Sequence, residues 1–264
     1  VSESAEAVLR RFLERSTGFD IPDERWTFLA PRFLSRLDGR GFRDVYAYVD
    51  YLRGDPLGRN ELEELFGLLT VRKTSFFRNP ASFEALAREV LPGLLNGLSG
   101  GLSVWSAGCS TGEEAYTLAM VCQATLGKRP FHVLATDIVN EALKQARLGV
   151  YSTKALSSVP PEYRHSFHRG GGRAEIAHDL RNCVDFVEHN LVHDEFPRSA
   201  HGSWDIVFCR NVFIYFSEAQ SRSVLKRIHR VLSPGGVLFL GHAEVFPWLE
   251  QDYEVVFWGD TYYY

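Results

Sequence analysis

The spacing of apolar positions changes near Val71, and the change divides the chain. Before it, hydrophobic residues recur every three or four positions. Val8, Leu9, Phe12 and Leu13 form one such set, which stops near Gly18. Trp26, Leu29, Phe33, Leu34 and Leu37 form the next. Each set occupies one face of an amphipathic helix. Pro31 interrupts the second segment and predicts a kink or a division into two short helices. The stretches FRDVYAYVDYLRGD and GRNELEELFGLLTV read as two more short helices, and no strand signal occurs before residue 70. Residues 1–70 are therefore read as a helical domain.

After Val71 the pattern becomes one of alternation. Residues 81–97 are still helical, with Phe83, Leu86, Ala87, Val90 and Leu91 along one face. LSVWSAG is then a short apolar strand, and GEEAYTLAMVCQATLG the helix after it. FHVLATDI and NEALKQARLGVY repeat the pair, with Asn140 as a candidate N-cap. WDIVFCRNV is a third strand. The helix SEAQSRSVLKRIHRVLS follows, stopping at Ser233-Pro234-Gly235-Gly236. GVLFLGH is a further strand, and YEVVFWGDTYYY can close as an antiparallel hairpin. Strands that are apolar almost throughout and alternate with helices predict an α/β fold with a parallel, doubly wound sheet. Within residues 71–264, the segment 163–188 differs. Its glycine run lies between short alternating stretches and predicts a small β-subdomain.

Composition narrows the function. The chain has 264 residues, 45% hydrophobic and 23% charged, with a net charge of −4. This gives no basic field for a nucleic acid partner. No apolar run approaches the ~18 residues needed to enter a bilayer as a span. The charged, amphipathic N-terminus is not a signal peptide. Cys109, Cys122, Cys183 and Cys209 show no C-x-x-C spacing, which favours a reduced, cytoplasmic chain over a disulfide framework. The nine histidines show no metal-ligand spacing, so no metal is expected.

One motif poses a choice. Gly108-Cys109-Ser110-Thr111-Gly112 fits G-x-S-x-G. It can be a nucleophile elbow presenting Ser110, with Asp205 and His242 in the chain order of a hydrolase triad. It can also be a glycine turn against which a ligand lies close to the backbone. The second reading uses more of the surroundings. The loop 107–112, with Gly108, joins the first strand of the sheet to its first helix. Asp137 ends the second strand, where doubly wound folds grip ribose hydroxyls. The helix after the loop opens with Glu113 and Glu114, which repel a pyrophosphate and suit a cationic adenosyl ligand such as S-adenosylmethionine.

Five co-linear stretches carry a resemblance. They are TSFFR at 74–78, WSAGCSTGEEAY at 105–116, ATDI at 135–138, FCRNVFIYF at 208–216 and GHAE at 241–244. In order and spacing they resemble the CheR-type chemotaxis-receptor methyltransferases, and the likeness covers essentially the whole chain. It implies an all-α N-terminal domain and a Rossmann-like methyltransferase domain with a small β-subdomain. It also implies methyl transfer from S-adenosylmethionine to glutamate carboxylates of a receptor's cytoplasmic helical bundle. The products are glutamate methyl esters and S-adenosylhomocysteine, and a monomer is expected.

The same resemblance assigns residues. Thr74, Arg78, Glu114, Asp137, Asn190, Leu191, Arg210 and Asn211 match cofactor contacts. Tyr215 stands where the family has a tyrosine near the transferring methyl. Arg78 is the candidate to hold the substrate carboxylate in a bidentate grip, with Arg210 second. Phe76 and Phe77 are assigned to packing. Arg32, Arg36 and Arg40 fall at i, i+4 and i+8, one helical face, and family members use a basic helix here against the receptor. Three departures stand out. Arg72 replaces a frequent asparagine, Ala243 replaces the serine of GHSE, and the glycine loop at 169–173 is short. The short loop argues against docking of a receptor's C-terminal pentapeptide tether. A non-catalytic scaffold that keeps the cofactor pocket, and a Ser110 hydrolase, are the rival readings.

Overall fold

The computed structural model describes residues 4–71, 73–95 and 100–264. Four helices open the chain: α1 (Ala5–Thr17), α2 (Asp23–Gly39), α3 (Val45–Gly54) and α4 (Pro56–Leu69). Their boundaries are chemical. Ser4 Oγ accepts from the Ala7 amide at 3.2 Å, and Asp55 caps α4 through the Leu57 amide at 2.7 Å. Gly18 ends α1 in the left-handed conformation, φ +78°. Leu9, Leu13, Phe33, Tyr48 and Leu65 are fully enclosed where the helices meet.

Of the two outcomes expected at Pro31, the division into two helices does not occur. α2 runs unbroken from Asp23 to Gly39 with Pro31 inside it. A proline there loses one helical hydrogen bond and strains the preceding turn. Trp26, Leu29, Ala30, Phe33 and Leu37 are all buried along one face of the continuous helix, and that burial outweighs the loss.

The helices α5 (Pro80–Ala85) and α6 (Leu91–Leu95) are joined through a π turn at Leu86–Val90. Residues 96 and 97 of the predicted helix lie outside the described residues. Strand β1 (Leu102–Ala107) follows, then α7 (Glu113–Leu126), β2 (Phe131–Asp137) and α8 (Asn140–Leu148). Val139, not Asn140, occupies the cap position of α8. Next come β3 (Val150–Ser152), β4 (Phe167–Gly170), β5 (Arg173–Ile176), α9 (His178–Arg181), β6 (Val184–Glu188) and β7 (Trp204–Cys209). The chain ends with α10 (Glu218–Val231), β8 (Leu232–Leu240), β9 (Val256–Trp258) and β10 (Thr261–Tyr263).

The main sheet has the order β6-β2-β1-β7-β8, all parallel. Side chains alternate between its two faces. Val104, Ile206 and Phe208 enter one apolar layer, and Trp105, Val207 and Cys209 the other. All six positions of the central β1 are buried, as both-sided coverage by helices requires. β9 and β10 form the expected hairpin, and Tyr264 exchanges two backbone hydrogen bonds with Leu238 of β8.

The small antiparallel sheet is β3-β5-β4, spanning Val150 to Ile176. The boundary expected at 163–188 is therefore displaced. Val184–Glu188 is not part of it but forms the outer strand of the main sheet beside β2. An outer strand keeps alternating exposed positions, here Asp185 and Val187. That pattern resembles a subdomain strand more than an enclosed parallel one.

Arg36 and Arg40 do not extend freely from α2. Arg36 grips Glu61 of α4 with two bonds, at 2.7 and 2.8 Å, and Arg40 adds a third at 2.6 Å. Tyr48 donates to the same carboxylate at 2.9 Å, and Glu61 is fully buried. The i, i+4 spacing that puts both arginines on one face also turns that face toward α4. Arg32 stays exposed, its guanidinium 4.9 Å from the Phe28 ring.

Arg36, with Tyr48 and Arg40 behind it, holds the Glu61 carboxyl below its ordinary value of 4.5. Its folded value lies below its unfolded one, so its stabilisation is complete well above pH 4.5 and is lost as pH falls through the folded value. Glu61→Gln is expected to lower unfolding free energy by about 2 kcal/mol at pH 7, a low figure because both guanidiniums reach solvent. Urea titrations should show that the gap to wild type closes on acidification below 4.5.

Candidate active site

In a doubly wound sheet the crevice opens where strand order reverses, outside the carboxyl ends of the strands. Here that point lies between β1 and β7. Two adjoining clefts occupy it, with cavity volumes of about 90 and 150 Å³. The first is bounded by Phe19, after α1, and by Asp137, His189 and Leu191 beyond β2 and β6. The second is bounded by Thr74, Arg78, Glu114 and Arg210. Gly108, Ser110, Asn211 and Tyr215 line both.

Asp137 organises the first cleft. Its carboxylate accepts from the Ser110 amide at 2.8 Å and the Val139 amide at 2.9 Å. Its carbonyl takes the His189 amide at 3.0 Å, while Thr136 O takes the amides of Gly108 and Cys109 at 2.7 and 2.9 Å. The glycine turn is thus fastened to the end of β2. Gly108 has φ +83°, and a Cβ there would lie 2.4 Å from Val212 Cγ2. A side chain at this position would be driven into Val212 on the cleft wall.

The second cleft holds a chain of charge. Ser106 Oγ donates to Glu114 at 2.9 Å, Arg210 Nη1 lies 3.4 Å from the same carboxylate, and Arg210 Nη2 donates to Arg78 O at 2.8 Å. Burial pushes the Glu114 carboxyl above its ordinary value, opposed by Arg210. Burial pulls the Arg210 guanidinium down, opposed by Glu114. Arg78 spends one nitrogen on Lys73 O at 2.9 Å and keeps the rest of its fork for the cleft. Phe76 and Phe77 are buried, Phe76 edge-on to Tyr151 and Phe167.

Glu244 is a residue that sequence reasoning left without a role. It lies in GHAE beyond β8, and its buried carboxylate accepts from the amides of Asn211 (2.8 Å), Phe213 (2.8 Å) and Gly241 (2.6 Å). It fixes the turn after β7 that carries Arg210 and Asn211. The signal available was its place in the GHAE stretch at a strand end.

Other expected site residues do structural work as well. Tyr215 is buried among the N-terminal helices, stacked on Phe19 at 5.1 Å, and its hydroxyl accepts from the Val71 amide at 2.9 Å. The Asn190 amide group donates to Ser16 O at 3.1 Å and accepts from the Val192 and His193 amides. Its side chain therefore ties α1 to the loop after β6, and Leu191 is buried beside it. Arg72 lies outside the described residues.

The hydrolase arrangement is not assembled. Asp205 sits at the start of β7, bound to the Ser103 amide and Ser233, at the opposite end of the parallel strands from Ser110. A ligand cradle agrees better with the polar groups. Among the described residues, three buried side-chain atoms lack a partner: Ser110 Oγ, His189 Nε2 and Arg210 Nε. All three residues line the two clefts. Among the described residues, two of the four non-glycine residues with positive φ, Ser110 and Asn211, line both clefts, and the other two, Phe77 and Asn79, flank Arg78 in sequence. Backbone strain of this kind persists where the surroundings impose it and gathers at functional sites. The half-exposed Asp137, the Glu114–Arg210 pair and the glycine cradle suit a ligand with hydroxyls, a cationic amine and a carboxylate. These are the groups of S-adenosylmethionine. Among the described residues, no cluster of three or more histidine, cysteine or acidic side chains could hold a metal ion.

Comparison with known proteins agrees. Residues 72–261 match the family model described as CheR methyltransferase, SAM binding domain, and residues 7–70 match CheR methyltransferase, all-alpha domain. The chain is 33% identical to the chemotaxis protein methyltransferase of Listeria monocytogenes, covering 89% of this chain and 87% of that one. Identity to the chemotaxis protein methyltransferase of Escherichia coli is also 33%, over 97% of this chain and 88% of the other. Chemotaxis protein methyltransferase 1 of Pseudomonas aeruginosa is 33% identical, over 94% and 93%.

Glu244→Ala strips three backbone amides of their acceptor and should lower stability by about 3 kcal/mol, measured by urea unfolding, with weaker cofactor binding. A fluorophosphonate probe should leave Ser110 unlabelled in the folded protein. Labelling lost in Ser110→Ala would contradict the cradle.

Proposed function

We propose, for a chain that belongs to the CheR methyltransferase family, that it transfers a methyl group from S-adenosylmethionine to glutamate carboxylates on the cytoplasmic helical bundle of a chemoreceptor. The observation that supports this most is the pair of joined clefts at the β1/β7 switch point, one suited to an adenosyl group and the other lined by arginine. When bound, the cofactor supplies an electrophilic methyl on a cationic sulfur.

The chain's residues then divide the work. Asp137 receives ribose hydroxyls, and the backbone beside Asn190 and Leu191 borders the adenine. Glu114 attracts the ligand's ammonium, while Thr74, Arg210 and Asn211 surround its carboxylate end. Gly108 leaves the space for close approach. Arg78 grips the substrate carboxylate and aligns one oxygen with the methyl. The carboxylate is a sufficient nucleophile and the departing sulfur is neutral, so the protein needs no strong general acid or base. Alignment supplies the acceleration, and well-oriented pairs reach effective molarities of ~10⁵ M or more. Tyr215 closes the wall between the clefts and keeps water from the reacting atoms.

Residues 1–70 are assigned to receptor recognition. Arg32 is the exposed cation of α2, and Arg36 and Arg40 contribute only the charge left after binding Glu61. A monomer acting in the cytoplasm belongs to the same reading. No helix among the described residues is long and apolar enough to cross a membrane.

With a receptor cytoplasmic fragment and radiolabelled S-adenosylmethionine, wild type should yield base-labile methyl label. Arg78→Ala should reduce kcat by 10²-fold or more while S-adenosylhomocysteine binding falls by about tenfold or less. Label that survives base, or an undiminished rate in the variant, would overturn the assignment.

A further inference from the structure

His189 has no place in the reaction as described, yet its ring is buried in the wall of the first cleft. Its backbone amide is bound to Asp137 O, which fixes it at the end of β6. Its ring meets Trp105 and Phe196 edge-on, with centroids 6.0 and 5.7 Å away. The two ring nitrogens differ. Nδ1 lies 3.7 Å from the Asp194 carboxylate, a group that only accepts. The contact is too long for a hydrogen bond, but the negative charge beside Nδ1 favours the imidazole proton there, which leaves the lone pair on Nε2. Burial pulls the imidazole below its ordinary range, so it is neutral at pH 7.

Nε2 is fully buried and has no partner. The neighbouring donors are already committed. Trp105 Nε1 donates to Thr136 Oγ1 at 3.0 Å. Arg227, the nearby cation, donates to the carbonyls of Leu191, Val192 and Asp194. A buried acceptor is costly to leave unmade. The first cleft, which His189 lines, is the source of a donor that remains.

We infer that His189 is a cofactor-binding residue whose Nε2 accepts a hydrogen bond from an N–H or O–H of the bound adenosyl group. The inference rests on reading the cleft as an S-adenosylmethionine site. Two donors of that group have the right chemistry: the exocyclic amine of adenine and a ribose hydroxyl. His189 is bonded through its amide to Asp137 and precedes Asn190-Leu191, the positions assigned to ribose and base, and each of these groups carries one of the two donors.

The test uses the whole chain labelled with ¹⁵N-histidine, with the His189 signals identified by their loss in His189→Phe. On titration with S-adenosylhomocysteine, Nε2 should stay unprotonated and move upfield as it gains a donor. The movement should saturate at the occupancy found by calorimetry. S-Inosylhomocysteine, which has a carbonyl in place of the amine, separates the sources. Loss of the movement assigns the amine, and persistence assigns the hydroxyl. His189→Phe keeps an aromatic ring against Trp105 and should weaken S-adenosylhomocysteine binding about three- to tenfold. One-to-one binding with an unmoved Nε2 signal would reduce His189 to packing and overturn the inference. Failure of the folded wild type to bind at all would instead remove the reading of the cleft, and the inference with it.

Discussion

Three adjacent strand ends are held in place by one residue, and the site is built on that constraint. Asp137 binds the Ser110 amide from beyond β1 and the Val139 amide at the head of α8, while its carbonyl binds His189 beyond β6. A carboxylate accepting backbone amides both rigidifies a turn and remains a charged acceptor toward a ligand. The residue that faces ribose therefore also fixes the glycine cradle. Glu244 plays the matching part on the other side of the crevice, binding the turn between β7 and its following helix. Two buried or half-buried acids thus set the crevice's two walls.

These anchors make the local strain tolerable. Ser110 and Asn211 adopt positive φ although neither is glycine, and each has its amide held by one of the two carboxylates. The strained turns aim backbone and side chains into the clefts instead of into the protein. The unpartnered atoms of Ser110, His189 and Arg210 are the polar counterpart of the same arrangement. A preorganised site of this kind leaves little reorganisation for the moment of transfer.

Much of the fold was legible because its local signals were strong. The central strand around Trp105 is apolar on both faces, and the glycine turn and Asp137 punctuate its neighbours. The outer strand at Val184–Glu188 was misplaced because three of its five positions face solvent, which removes the mark of a parallel strand. Pro31 was overestimated because propensity does not report the packing of Trp26 and Phe33. For the candidate site, the end of the second strand pointed to Asp137 and the start of the following helix to Glu114, while Arg210 came only from the resemblance. Periodicity placed Arg36 and Arg40 on one face without saying that Glu61 faces it. Glu244 and His189 act through contacts to distant backbone or through an absent partner, and neither leaves a spacing pattern to read.

The central claim is that the crevice between β1 and β7, governed by Asp137, holds the adenosyl cofactor. Calorimetric titration with S-adenosylhomocysteine tests it most directly, with wild type and Asp137→Ala compared after thermal melts show both to be folded. Saturable one-to-one binding by wild type, weakened at least tenfold by the substitution, is the predicted result. Equal affinity in the two proteins, or no heat of binding from folded wild type, would contradict the account.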